Sequence, residues 1–200
     1  MMKLPDIARL ACLLSFLACL PLFALPAWAE GWQPAQLMEL LAQKKTGKAT
    51  FTEKKTIGIL DQPVVSSGKL SFTAPDKLEK ITLTPQRESL LLDGDTLTIE
   101  RQGKQPMTVN IKNHPEAAMF IESIRGTLAG DLSALERFYR VELSGAPDHW
   151  QLKLTPRQED AGTVFSSIRI AGSQADVKTI HLEQRDGDQS VMTITPIPGQ

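Results

Sequence analysis

The sequence predicts an α+β fold built on one antiparallel sheet of about ten or eleven strands, with a few helices covering its apolar face. Three observations lead there. Apolar and polar residues alternate with period two through most of the chain. Two Asp-Gly pairs stand between such stretches, where tight hairpins need positive φ. Runs with helical spacing are confined to the segments 34–45 and 114–139.

Residues 1–29 read as a cleaved export signal. Lys3 and Arg9 give a weakly positive start, an apolar run follows from Leu10 to Leu25, and Ala27-Trp28-Ala29 precedes Glu30 in the small-x-small pattern that signal peptidase requires. Two other readings compete. Pro21 and Pro26 interrupt any spanning helix, which argues against an uncleaved anchor. Lipidation at Cys19 would instead make the chain a membrane-anchored lipoprotein. Export places the protein in the periplasm, where ATP, NAD and reducing buffers are scarce.

Removing 29 of the 200 residues leaves 171, enough for one domain with a real core, 30–200. Cys12 and Cys19 both fall in the signal, so the mature chain has no thiol chemistry. Lys3, Arg9 and Asp6 leave with it, so 22 basic and 23 acidic residues fall to 20 and 22, a net charge of −2. That balance offers no basic excess for a nucleic acid backbone.

The elements follow in order. Pro34 suits a first helical position, Leu37, Leu40 and Leu41 repeat at helical spacing, and Gly47 is expected to stop the run. Alternation then takes over: Leu70 and Phe72, Ile81 and Leu83, Leu97 and Ile99, and Val109 and Ile111 fall on one face of successive strands. Ser66-Ser67-Gly68-Lys69 reads as a hairpin turn, and Asp76-Lys77-Leu78-Glu79-Lys80 as a solvated strand edge. Asp93-Gly94-Asp95 and Asp186-Gly187-Asp188 mark hairpins; neither has the glutamate and spacing of a calcium loop. Pro115 opens a helix with Ala117, Phe120, Ile121, Ile124 and Leu128 on one face, and Ser133 with Glu136 suggests a capping box for a second, short helix. Strands resume at Val141, Trp150, Ile168, Ile180 and Met192.

The search for chemistry finds little. His114, His149 and His181 stand apart in sequence and read as surface or turn residues, with no metal-ligand spacing. No Gly-x-Ser-x-Gly elbow appears, and no two carboxylates are paired for acid–base work. The expectation is therefore a binder or carrier, neither an enzyme nor a cofactor protein. Two or three short helices over a curved sheet leave room beneath them.

The order of elements resembles the LolA-type periplasmic lipoprotein carriers. An N-terminal helix precedes Ala49-Thr50-Phe51-Thr52-Glu53, similar to the family's first strand. Gly68-Lys69-Leu70-Ser71-Phe72-Thr73-Ala74-Pro75-Asp76-Lys77-Leu78 resembles its glycine, apolar strand and proline stretch. Leu91-Leu92-Asp93-Gly94-Asp95-Thr96-Leu97 resembles its hairpin, and Trp150-Gln151-Leu152-Lys153-Leu154-Thr155-Pro156 its tryptophan strand. The similarity spans about residues 33–195. It implies an unclosed antiparallel β-barrel whose concave face is covered by helices, and a monomeric carrier of lipoprotein acyl chains or another lipid between an inner-membrane donor and an outer-membrane acceptor. An outer-membrane receptor, and an exported scaffold or assembly factor with a self-filled core, are the alternatives. The implied cavity wall is Leu70, Phe72, Ile81, Leu83, Leu97, Ile99, Val109 and Ile111, and the implied lid is Phe120, Ile121, Ile124 and Leu128. The carriers hold the lid with an arginine between two aromatic residues. Here Leu78-Glu79-Lys80 occupies those positions, so Glu79 marks an altered gate.

Overall fold

The computed structural model describes residues 31–157 and 164–198; the signal segment with both cysteines lies outside them. The chain opens with helix α1 (Pro34–Ala42). Six strands follow: β1 (Thr46–Thr56), β2 (Val64–Thr73), β3 (Lys77–Thr84), β4 (Glu88–Asp93), β5 (Thr96–Arg101) and β6 (Met107–Asn110). A short 3-10 turn (Ile111–Asn113) leads into α2 (Pro115–Ala129) and α3 (Leu132–Phe138). Five strands complete the chain: β7 (Tyr139–Ala146), β8 (His149–Pro156), β9 (Phe165–Ser173), β10 (Asp176–Gln184) and β11 (Gln189–Pro196).

All eleven strands belong to one antiparallel sheet in the order β6-β5-β4-β3-β2-β1-β11-β10-β9-β8-β7. Each neighbour along that order is a consecutive hairpin except at the centre. There β1 pairs with β11, from Ala49 opposite Pro196 to Thr56 opposite Gln189, and joins two meanders. The barrel is left open because β6 and β7 are the free edges. The segment that joins those edges carries α2 and α3, so the connection itself brings the helices across the sheet.

Local chemistry sets the boundaries. Gly94 and Gly187 have φ of 58° and 94°, as the Asp-Gly hairpins require. Pro115 stands in the first turn of α2, and Gly130 closes it in the left-handed region at φ 71°. Four expectations need correction. Gly47 does not stop the first helix; α1 ends at Ala42 and Gly47 lies inside β1. Ser66–Lys69 is not a turn but the middle of β2, with a register shift at Ser67/Gly68. An added Cβ at Gly68 would lie 1.9 Å from the Ile81 carbonyl oxygen and 2.9 Å from the Phe51 ring, so close backbone approach explains the glycine. Finally, α3 is capped by Asp131, whose carboxylate accepts from the Ala134 amide, rather than by Ser133, and β3 is an interior strand, not an edge.

The two halves of the sheet are filled differently. Leu37, Met38 and Leu41 of α1 and Leu135 of α3 pack with Tyr139, Trp150, Leu152, Leu154, Ile168, Ile170 and Val177 into a buried core. That core covers the β7–β10 half. The Trp150 indole donates to the Gln174 carbonyl at 2.9 Å and packs over Gly172, its cross-strand partner. Tyr139 donates to the Met119 carbonyl at 2.8 Å and ties α2 to the start of β7. Burial pushes the Tyr139 phenol above its ordinary range, so it stays a neutral donor. Among the described residues, the packed core includes no residue of β2–β5.

Candidate functional site: a cavity beneath the long helix

A cavity of about 830 Å³ lies beneath α2, lined by β1–β5 on one side and by β9–β11 on the other. This size falls within the range of about 300–1,000 Å³ typical of small-molecule sites. Strand register explains its wall. Phe72, Leu78, Leu92 and Leu97 lie directly opposite one another on β2, β3, β4 and β5, and so share a face. Leu70, Lys80 and Leu90 form the next row on that face. All of these residues line the cavity, as do Ile180, Leu182, Met192 and Ile194 from β10 and β11.

Across from the wall stands α2. Its Phe120, Ile121, Ile124 and Leu128 all line the cavity, and the helix rests on α1, α3 and the 3-10 turn. Phe120 meets Phe165 with ring centroids 5.6 Å apart. Arg125 reaches from α2 to the β4–β5 hairpin, donating to the Gly94 carbonyl at 3.0 Å, while it also pairs with Glu122. The arginine between helix and sheet in this chain thus belongs to the helix. Glu79 is among the lining residues, but its carboxylate accepts from the Ser71 hydroxyl at 3.1 Å across the strands and makes no bond to α2.

Leu70, Phe72 and Leu97 stand in the wall with all four α2 residues. Ile81 and Leu83 do not. Ile81 lies opposite Lys69 and Ser89, on the convex face, and Leu83 shares that face at 42% exposure. The sequence Leu78-Glu79-Lys80-Ile81-Thr82-Leu83 carries apolar residues in both phases, and its hairpin partners select the phase of Leu78. Ile99 and Val109 share the concave face by register, opposite Leu90 and Leu97, but lie outside the cavity. Ile111 is buried in the 3-10 turn, away from it.

Besides the Lys44–Asp176 ion pair at 2.5 Å, the lining carries a polar cluster around Glu53 that sequence reasoning missed. Glu53 is 6% exposed. Its carboxylate accepts from Lys80 at 2.6 Å and from the Ser190 hydroxyl at 2.7 Å, and Lys55 lies 3.6 Å away. The Lys80 ammonium also sits 4.9 Å from the centre of the Phe51 ring. Burial alone pushes the Glu53 carboxyl up; the Lys80 bond and charge, Ser190 and Lys55 outweigh it and hold the carboxyl below its ordinary 4.5. A folded-state value below the unfolded one stabilises the fold above about pH 4.5, and that contribution is lost as pH falls through the lowered value. Glu53→Gln is therefore expected to flatten the fall in unfolding free energy between about pH 6 and about pH 3, measured by urea titration. A slope equal to that of wild type would show that the carboxylate is not held in this way.

The convex face carries a second network. Arg169 donates to Glu183 at 2.9 Å and to His181 Nδ1 at 2.9 Å, and Ser167 donates to Glu183 at 2.7 Å. His181 thus lies within β10, half-buried, rather than in a turn. The Ser167 hydroxyl is engaged by Glu183 and not by His181, which is not the pairing an activated nucleophile needs. Among the described residues no cluster of three or more His, Cys, Asp or Glu is placed to hold a metal ion, and no helix is long and apolar enough to cross a membrane.

The architectural class is thus a half-open antiparallel barrel with an apolar cavity under a helical cover. The profile of the family described as "Outer membrane lipoprotein carrier protein LolA-like" matches residues 27–195, and the chain belongs to that family. It is 21% identical over 173 residues to an outer-membrane lipoprotein carrier protein of Pseudomonas syringae pathovar tomato, covering 86% of this chain and 81% of that one. It is 25% identical over 175 residues to the protein of the same name from Dechloromonas aromatica, covering 86% and 80%. Among solved structures, a LolA superfamily protein from Nitrosomonas europaea superposes with a TM-score of 0.42 at 9% identity, covering 82% of this chain and 92% of that one.

Proposed function

We propose that the protein is a periplasmic carrier that holds acyl chains of a lipoprotein or another lipid in this cavity and moves them toward the outer membrane. The observation that carries the reading is the cavity itself: α1 and α3 pack against the β7–β9 end, whereas about 830 Å³ beneath α2 stays open between the leucine wall of β2–β5 and the apolar residues of β10 and β11. Burial of hydrocarbon is favourable by ~0.8 kcal/mol per methylene, so ~8 methylenes gain roughly 6 kcal/mol before ordering costs. That strength suits a carrier that must also release. The α2 helix acts as the lid: its cavity face gives up contact with the wall when a guest enters, and Arg125 at Gly94 is its latch.

Residues 1–29 are the export signal in this reading, an inner-membrane donor loads the carrier, and an outer-membrane acceptor unloads it. Native mass spectrometry of the exported protein, released gently from the periplasm, tests the proposal. The expected spectrum has a signal-free chain carrying an acylated guest. A guest-free chain that also takes up no lipid from detergent solution would point instead to a scaffold with a filled core.

A further inference from the structure

From the polar cluster in the wall we infer that Lys80 is a head-group site, which selects guests bearing a carboxylate or ester carbonyl at the end of the hydrocarbon chain. The inference rests on the carrier reading and adds a chemistry to it. An ion pair in an apolar wall carries a desolvation cost that a pair of aliphatic residues avoids, so its presence is not explained by stability alone. The geometry says what it offers. Glu53 is 6% exposed and its two oxygens are taken by Lys80 and Ser190, so the carboxylate is the buried, satisfied partner. Lys80 stays more open, with its side chain 24% exposed on the cavity side. An ammonium has three donors. One goes to Glu53 and a second direction is occupied by the Phe51 ring, which leaves donor capacity toward the cavity.

Charge and layout favour an acceptor of negative or partly negative character. Lys80 and Lys55 together face the single Glu53 carboxylate, so the cluster carries a surplus positive charge. Leu70 and Leu90 flank Lys80 directly across the strands, and the Phe72, Leu78, Leu92 and Leu97 row begins one step further on. A guest bound by its head at Lys80 therefore lays its chain along the leucine wall beneath Ile121 and Ile124. Chain and head are read by different residues, which makes them separable by mutation.

Displacement of the neutral dye phenylnaphthylamine by palmitate, and by the alcohol of the same chain length, tests the inference. Wild type is expected to bind palmitate about tenfold more tightly than the alcohol, the weight of one charge-assisted hydrogen bond. Lys80→Met keeps the bulk and is expected to abolish that preference, read as the ratio of palmitate to alcohol affinity falling to about one. Because Lys80→Met strands a buried carboxylate, the double variant Lys80→Met with Glu53→Gln gives the same readout without an unpaired charge. Glu53→Gln alone removes the internal competitor for Lys80 and is expected to raise palmitate affinity, an effect a merely structural pair would not give. No preference in wild type, or one that survives in the double variant, overturns the head-group site and leaves the carrier reading standing. Failure of both probes to displace the dye from wild type overturns both.

Discussion

Ile121→Glu is expected to lower the affinity for an acyl-chain probe by about two orders of magnitude, whereas Ile81→Glu is expected to leave it unchanged. Ile121 lines the cavity from α2 and stands outside the packed core of α1, α3 and β7–β10, so the variant should keep its fold. A carboxylate there must lose water when hydrocarbon arrives, at a cost of about 2–3 kcal/mol or more, which is about a hundredfold in affinity. Ile81 lies on β3, but opposite Lys69 and Ser89 on the convex face, where the same charge meets solvent. Isothermal titration with the probe distinguishes the two. Equal losses would mean that the face assignment of β3 is wrong; equal indifference would mean that the chain does not lie under α2.

Trp150→Ala is expected to cost about 4 kcal/mol of stability and roughly 10 °C in Tm. The side chain is 2% exposed, its indole N–H is satisfied by the Gln174 carbonyl, and it packs among Leu152, Ile170 and the α1 leucines. Removing it opens a large hole in the filled half, where the surrounding strands relax only in part. Acyl binding to the native protein should survive, because Trp150 does not line the cavity. Thermal and urea unfolding measure the first effect and probe titration the second. A loss below about 1 kcal/mol would show that the core formed with α1 and α3 does not hold the β7–β10 half.

The sequence carried the architecture well, and its failures have physical causes. Strand alternation, Asp93-Gly94 and Asp186-Gly187 mark the hairpins because period two and positive φ are local properties. The four α2 residues were legible because one helix has one apolar stripe. Register was not. Ile81 and Leu83 obey alternation as well as Leu78 does, and only pairing with Leu92 across the β3–β4 hairpin selects the face. The polar cluster was invisible for a related reason. Glu53 and Lys80 are 27 residues apart, and Ser190 is 137 from Glu53; three strands that are distant in the chain bring them together. In sequence, Lys80 reads as one more charge on a solvated strand edge. Ile99 and Val109 show the opposite limit: they share the correct face, but the cavity does not extend under them.

Asymmetry of filling also gives a reason for one sheet to serve two ends. The β7–β9 strands are packed by α1 and α3, while the concave face of β1–β5, β10 and β11 keeps apolar residues along the cavity. The open edges at β6 and β7 are bridged by α2 and α3, so movement of α2 need not break the sheet.

Photolabelling with a palmitate analogue bearing a diazirine near its methyl end, followed by peptide mapping, asks directly whether hydrocarbon enters the space under α2. Labels should fall on Ile121, Ile124 and Leu128 and on the facing leucines Leu78, Leu92 and Leu97. Labels spread over Ile81, Leu83 and the exposed Ile59 in the connection between β1 and β2, with none beneath the helix, would mean that the cavity never receives the chain.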